Sequence, residues 1–314
     1  MAINTFAEKA TKFMPILDAI YQKGAITSIL DDAALAAQLV GTKSIKLPKI
    51  SVNGAGDYDR DTGYVQGGVA VSYEEHELSY DRGRKFRIDI IDNDEAAFDL
   101  YRQVAIEYVR TKEVPEIDAI RFAEIYAAAT RSGTLGTVAS KDLGTSDSAL
   151  SLFDIAEKTL NEKEVPEEGR VLFCTNDFYG MLKADTALSR RMDVQANNGN
   201  IDRRVMMLDG ITPIIKVPQA RFYSLITLYD GTTSGQTAGG YIPTATTGYD
   251  LNFVYANRAA LKGVIKRRFS KIVEPAANQS ADAYDIFYRC HHDLIVKDNE
   301  TAGIYIHKKA TARA

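Results

Sequence analysis

The sequence predicts an α+β fold built on one long helical strut, with two extended segments and a compact mixed unit attached to it. Three stretches predict this. Residues 92–131 open with Asp92-Asn93-Asp94-Glu95, which puts acceptors and negative charge where a helix leaves its first amides unpaired. Apolar residues then return at helical spacing: Phe98, Tyr101, Ala105, Tyr108 and Val109, later Ile117, Ile120, Ala123 and Ile125. Residues 52–68 interleave Gly54, Gly56, Gly63, Gly67 and Gly68 with Asp57, Tyr58, Asp59, Arg60 and Asp61, a composition that cannot form a local core. Residues 147–265 alternate short apolar runs with helix caps.

Bulk composition narrows the function classes. A chain of 314 residues has a length prior of about two domains. Its 45% hydrophobic and 25% charged content is that of a folded protein in water. No apolar run approaches the ~20 residues of a membrane span. Glu8, Lys9, Lys12 and Asp18 break up the first apolar residues, so no secretory signal is expected. Two cysteines, Cys174 and Cys290, outside any CxxC pair imply no disulfide framework. A net charge of −4 argues against a general nucleic-acid binder held by phosphate contacts.

In chain order, residues 3–22 form an amphipathic segment (Phe6, Phe13, Ile16, Leu17, Ile20) broken by Pro15. Alone it cannot bury its apolar face. Residues 27–31 and 45–50 read as extended pieces around an alanine-rich helix at 32–40. Strand patterns surround the glycine-rich segment, Val69 to Tyr73 and then Phe86, Ile88 and Ile90 alternating with Lys85, Arg87 and Asp89. They predict a two-stranded arm with a glycine-rich tip, and an isolated hairpin is marginally stable in water. Within the strut, Pro115 lacks an amide donor and disfavours helical geometry at Val114, so a bend or break is expected there; two ordinary bundled helices are the alternative.

Beyond a Gly/Ser/Thr loop at 133–146, Asp147 or Ser148 can cap the next helix, with Leu150, Phe153, Ala156 and Leu160 on one face. Val171-Leu172-Phe173-Cys174 reads as a buried strand, and Thr175-Asn176 as the cap of the helix after it. Asp209-Gly210 between apolar runs is a hairpin signal. Residues 223–229 and 251–255 read as strands, and 231–240 as a mobile low-complexity loop. A long terminal strand places Tyr284, Ile286, Tyr288, Cys290, His292 and Leu294 on one face, and Ile304 to Ile306 follow as a shorter strand.

Tests for chemistry fail one by one. In Cys290-His291-His292-Asp293, strand neighbours point to opposite faces, so the histidines cannot share an ion. Residues 57–68 resemble the opening of a calcium loop, but Thr62 stands at the required glycine and Gly68 at the bidentate glutamate. Their carboxylates are instead expected to pair with basic residues of an adjacent chain. Cys174 has no local base and the chain has no nucleophile elbow, so a buried structural cysteine is expected. No phosphate-binding glycine loop occurs. Alternation divides Lys262, Lys266, Arg267, Arg268 and Lys271 between two faces, which favours a solvated or inter-subunit surface over a nucleic-acid groove. No catalytic residue, cofactor or metal is expected.

The order of parts resembles the major capsid protein of tailed bacteriophages, the Hong Kong 97-type shell fold, especially its short versions from phages of Gram-positive hosts. The resemblance is carried by Thr27-Ser28 through Leu30-Asp31, Lys46-Leu47-Pro48, and Arg84-Lys85-Phe86-Arg87-Ile88-Asp89 leading into Asp92-Asn93-Asp94-Glu95. His292-Asp293-Leu294-Ile295-Val296, Asp298-Asn299 and Gly303-Ile304-Tyr305 complete it. It implies an N-terminal arm (1–45), an extended loop (46–92), a peripheral domain with spine helix (93–146 plus 266–314) and an axial domain (147–265). The implied function is a non-enzymatic subunit that assembles into pentamers and hexamers of an icosahedral shell around double-stranded DNA, in the virion and built in the host cytoplasm. Implied partners are further copies of itself, a portal, scaffolding or decoration proteins, and non-specifically contacted DNA, with no membrane. Candidate inter-subunit contacts are Asp57, Asp59, Arg60, Asp61, Arg82, Arg84, Lys85 and Arg87, and Pro115 is a candidate hinge. Some members lock their shells with Lys–Asn isopeptide bonds from the loop. Here no lysine lies between Lys49 and Lys85, so a shell without crosslinks is expected. An encapsulin-like bacterial nanocompartment and a cytosolic enzyme using Cys174 are the alternatives.

Overall fold

The computed structural model describes residues 20, 24–38, 44–95, 100–144, 147–185 and 205–313. The expectations placed on Phe6, Phe13, Pro15, Ile16, Leu17 and Phe98 lie outside them. A 3-10 turn, Ile26–Leu30, and a short helix α1 (Ala33–Gln38) lead to strand β1 (Ser44–Val52). Strands β2 (Val69–Glu77) and β3 (Tyr80–Asp89) follow, then helix α2 (Ile90–Glu95). Asp89, rather than Asp92, accepts the first-turn amide of α2, from Ile91 N at 2.9 Å.

The strut resumes as α3 (Leu100–Tyr108), passes through a π-helical segment, Val109–Glu113, and continues as α4 (Val114–Thr130). The expected break is thus a change of helical pitch. Val114 N–H donates to Val109 O, five residues back, and Pro115 occupies the first turn of α4. A wider turn absorbs the donor that proline lacks, so the helix need not stop. From 100 to 130 the strut is ~46 Å long at ~1.5 Å per residue.

Beyond the strut come β4 (Thr137–Ser140), α5 (Ala149–Glu162), β5 (Arg170–Thr175) and α6 (Asn176–Ala184). Next are β6 (Met207–Leu208), β7 (Thr212–Val217), β8 (Ile226–Leu228), β9 (Tyr241–Pro243) and β10 (Leu251–Asn257). The chain ends with β11 (Lys262–Val273), β12 (Ala283–Ile295) and β13 (Ile304–Lys308). One sheet has the order β4-β13-β10-β5-β7-β6, a second β11-β12-β3, while β1 pairs with β2 and β8 with β9.

The six-stranded sheet lies between two layers of helix. Leu172, Cys174, Phe253 and Tyr255 pack with Phe153 and Leu160 of α5 and Phe178 of α6. Their strand neighbours Val171, Phe173 and Val254 pack with Phe122 and Ile125 of α4. Covering both faces explains why β5 and β10 are buried at every residue. Local signals act where expected. Ser148 Oγ accepts from Ser151 N at 3.1 Å and Thr175 Oγ1 from Phe178 N at 3.2 Å. Asp209 and Gly210, at φ 50° and 73°, turn β6 into β7. The sheet also takes in β4 and β13, from outside residues 147–265, whereas β11 belongs to the second sheet.

The second sheet carries its own core. Ile286, Tyr288 and Cys290 pack with Ala105, Val109, Val114 and Ile117 of the strut. The strut therefore spans both cores, its first half on one sheet and its second half on the other. Two connections also cross between the sheets, at 258–261 and 296–303, and they touch. A Cβ added to Gly303 would lie 3.6 Å from that of Ala260.

Candidate functional site

The arm is a hairpin of β1 and β2, in register from Ser44↔Glu77 to Val52↔Val69. This corrects the expectation that β3 forms one side of it: β3 pairs with β12, Ile88 opposite Tyr284 and Phe86 opposite Ile286. The apolar face of the arm changes side along its length. At the root, Ile45 and Leu47 are buried against Leu35, Val264 and Ile295, and the opposite side carries Lys46 and Glu75, 3.8 Å apart. Further out, Pro48, Ile50 and Val52 face Tyr73, Val71 and Val69 across the ladder. These project from the side opposite to Ile45 and Leu47, because side chains alternate. Ile50 is 63% exposed, Val52 68%, Val69 69% and Tyr73 66%.

At the tip, the Asp59 carboxylate accepts from Asp61 N and Thr62 N, at 2.6 and 3.0 Å. Those two bonds hold it below the usual carboxylate range. Gly63, at φ +83°, donates back to Asp59 O at 2.8 Å. The turn displays Tyr58 and Tyr64 edge to face, ring centroids 4.9 Å apart. Asp57, Arg60 and Asp61 are exposed. Asp59 thus organises a turn, and among the described residues no acidic or histidine cluster is placed to hold a metal ion.

The basic candidates on β3 have partners within the chain. Arg82 donates to Glu116 at 2.6 Å and to the Tyr229 and Gly240 carbonyls. Arg84 donates to Thr237 O at 3.0 Å. Lys85 and Arg87 both reach Asp285, at 2.8 Å each, and Arg87 and Lys85 hold its carboxyl far below the usual range. Residues 231–240, expected to be mobile, form a string of turns pinned by these arginines and by Asp230, which accepts from Thr232 N and Thr233 N. The basic stretch divides between two faces, with a bulge at Lys266 interrupting the alternation. Arg268 faces the strut and meets Glu113 at 2.9 Å, while Arg267 lies on the open face with Phe269 and Arg289. Cys174 is buried and its thiol pushed up to about 12 by burial.

Sequence reasoning missed a buried ionic network that fastens the first described segment to the strut. Asp118 accepts from Ile26 N, Thr27 N, Thr27 Oγ1 and Arg221. Arg121 donates to Thr27 O and to Asp31, the latter at 2.5 Å. Both side chains are 0% exposed. The available signal was an Asp and an Arg one turn apart among Ile117, Ala119, Ile120 and Phe122, since such charges are buried only when paired.

No protein-family description matches the sequence, and no curated protein matches it. Solved structures do match. A structure of Mycobacterium phage Che8 covers 90% of both chains, with TM-score 0.57 and 15% identity. The capsid of the cyanophage P-SCSP1u covers 86% of this chain and 84% of its own, with TM-score 0.60 and 14% identity. A virus-like particle from Pyrococcus furiosus covers 96% and 99%, with TM-score 0.56 and 14% identity. The fold is therefore the one used by phage capsids and virus-like particles, the Hong Kong 97 type.

Proposed function

We propose that this chain is a non-enzymatic shell subunit, the major capsid protein of a tailed phage, forming pentamers and hexamers around double-stranded DNA. One observation carries the reading: beyond Leu47 the arm presents its apolar face away from its own molecule. Covering Ile50, Val52, Val69, Val71 and Tyr73, which are already a third to a half covered, would recover roughly 1–2 kcal/mol per side chain, before the costs of association. Repeated around a ring of heterologous contacts, such a gain closes a stable assembly.

In this reading residues 1–45 are the N-terminal arm and 46–92 the extended loop, with β3 as its return strand in the sheet of β11 and β12. Residues 93–146 and 266–314 form the peripheral domain and 147–265 the axial domain, whose sheet is completed by β4 and β13 from outside that range. Asp57, Asp59 and Asp61 meet a basic surface of a neighbour. The open face of β3, β12 and β11 carries Lys85, Arg87, Arg267 and Arg289 against Asp81 and Asp285, which pair with three of them within the chain, and keeps an excess of positive charge for that role. Pro115 and the π segment before it are the place where the strut bends as the shell changes shape. Portal, scaffolding or decoration proteins would meet the finished lattice, and the DNA would be contacted without sequence preference.

Expression of the chain alone, followed by electron microscopy, tests the reading. Closed particles should form, and they should run as a single subunit band on a denaturing gel, because the arm tip carries no lysine for a crosslink. A species of one or two copies at all concentrations would overturn it. The near-complete match to a virus-like particle favours a second reading, a protein-filled compartment. Co-purifying cargo enzyme instead of DNA would decide for that.

A further inference from the structure

Just past Val52, where the ladder of the arm ends, Asn53 is followed by Gly54. Asn53 N donates to Gly68 O at 3.2 Å, one bond beyond the last strand pair. Its side chain leans across the arm: a Cβ added to Gly68 would lie 3.4 Å from Asn53 Nδ2. Among the described residues, neither the Asn53 side-chain amide nor the Gly54 N–H has a hydrogen-bond partner. Both residues are exposed, and a Cβ added to Gly54 would meet nothing within 4 Å. An electrophilic amide carbon and the backbone nitrogen one residue on are therefore adjacent, uncommitted and open to water. Asparagines of the six-stranded sheet are held differently. Asn252 Nδ2 donates to Lys141 O at 3.2 Å, and Asn257 Nδ2 to Pro166 O and Glu168 O at 3.1 Å each. Each precedes a bulky residue, Phe253 or Arg258, and both are buried. The other asparagine followed by glycine, Asn198, lies outside the described residues.

We propose that Asn53-Gly54 is a self-modifying site of the uncovered arm, where asparagine turns into isoaspartate and aspartate. The Gly54 nitrogen loses its proton to solvent base and attacks the Asn53 side-chain carbonyl carbon. A five-membered imide closes as the N–C bond forms. The Cγ–Nδ2 bond breaks, and the leaving nitrogen takes a proton from water to depart as ammonia. Water then adds to one imide carbonyl and opens the ring, giving aspartate or isoaspartate with no change of oxidation state. Glycine permits this, since no Cβ crowds the attacking nitrogen and its backbone turns freely toward the side chain. The product adds a carboxylate to a tip that carries Asp57, Asp59 and Asp61 against Arg60. Isoaspartate also lengthens the main chain by one carbon at the foot of the tip, which re-aims Tyr58 and Tyr64 relative to the ladder. The change is one-way, so it records how long an arm has stood uncovered. On the shell reading, assembly covers the arm and stops the record.

For the test, the full chain is separated by size into free and assembled fractions, each kept at pH 6 and pH 8.5 and sampled over days. Trypsin cuts after Lys49 and Arg60, so the peptide 50–60 holds Asn53 and no other asparagine. Its amide-to-acid mass gain is read by mass spectrometry, and isoaspartate by methyl transfer from S-adenosylmethionine with an isoaspartyl methyltransferase. Conversion is expected in the free fraction, faster at pH 8.5 because the attacking nitrogen must be deprotonated. Gly54→Ala, which the open space accommodates, should slow it about tenfold or more, about 1.4 kcal/mol in the barrier. A free native chain that converts no faster than Gly54→Ala overturns the proposal, as does conversion without isoaspartate. The assembled fraction should convert several times more slowly than the free one. Equal rates refute the shielding while the chemistry stands. A chain that never assembles refutes the shell reading, and the free fraction still decides the site.

Discussion

Two strand pairs of this molecule use the same alphabet to opposite ends. In β5 and β10, Val171, Phe173 and Val254 meet α4 while Leu172, Cys174 and Phe253 meet α5 and α6. In the arm, Ile50, Val52, Val69 and Val71 are as apolar, yet more than half exposed. β5 and β10 are paired along both edges, the arm strands along one. What also differs is where the second layer comes from: the chain folds its own helices over β5 and β10 and, among the described residues, nothing over the outer arm. On the shell reading, stability of the subunit and stability of the assembly would rest on separate residues.

That separation can be attacked from both sides. The largest effect is expected from Asp118→Ala, which leaves Arg221 without its carboxylate and strips Thr27 of a buried acceptor. Breaking a buried pair typically costs ~3–5 kcal/mol, so urea unfolding of the variant subunit should shift by about that amount. A shift below about 1 kcal/mol would mean that the first segment is held by something else. The paired change Ile50→Ser with Val71→Ser should leave subunit unfolding within about 0.5 kcal/mol of the parent, yet abolish particles by electron microscopy. Normal particles would show that the outer arm is not the adhesive surface. Pro115→Ala sharpens the comparison least. It should return residues 109–113 to ordinary α pitch and change stability by no more than ~1 kcal/mol, with any shell trapped in one shape. A π segment that persists in the variant structure would move the cause from the proline to the packing of Val109 and Glu113.

Legibility in the sequence follows the range of the interaction. Thr175 and Ser148 cap helices through a contact three residues away, and Asp209-Gly210 turns a hairpin through its own backbone preferences, so each is readable from neighbours. The apolar run 171–174 announces burial on both faces for the same reason. Pairing of the arm is different. β1, β2 and β3 all alternate, and only the docking of β3 on β12, some two hundred residues later, decides which two make the hairpin. The network of Thr27, Asp31, Asp118, Arg121 and Arg221 joins three distant segments, and no local pattern encodes that meeting. The face change at Leu47 was present in the sequence, as Ile45 and Leu47 followed by Pro48, Ile50 and Val52, but it gains meaning only once the body is seen to end there.

The two connections between the sheets, touching at Ala260 and Gly303, have a mechanical consequence. Threads that cross a gap far apart would clamp its two sides, whereas threads that cross together act as a single pin. The strut is a third crossing, packed on both sheets, so any tilt of one sheet against the other that tears no strand pairing has to turn about the pin and flex the strut with it. Successive copies set at unequal angles around a curved surface would place their difference in tilt there, and the ladders on either side would travel as rigid plates.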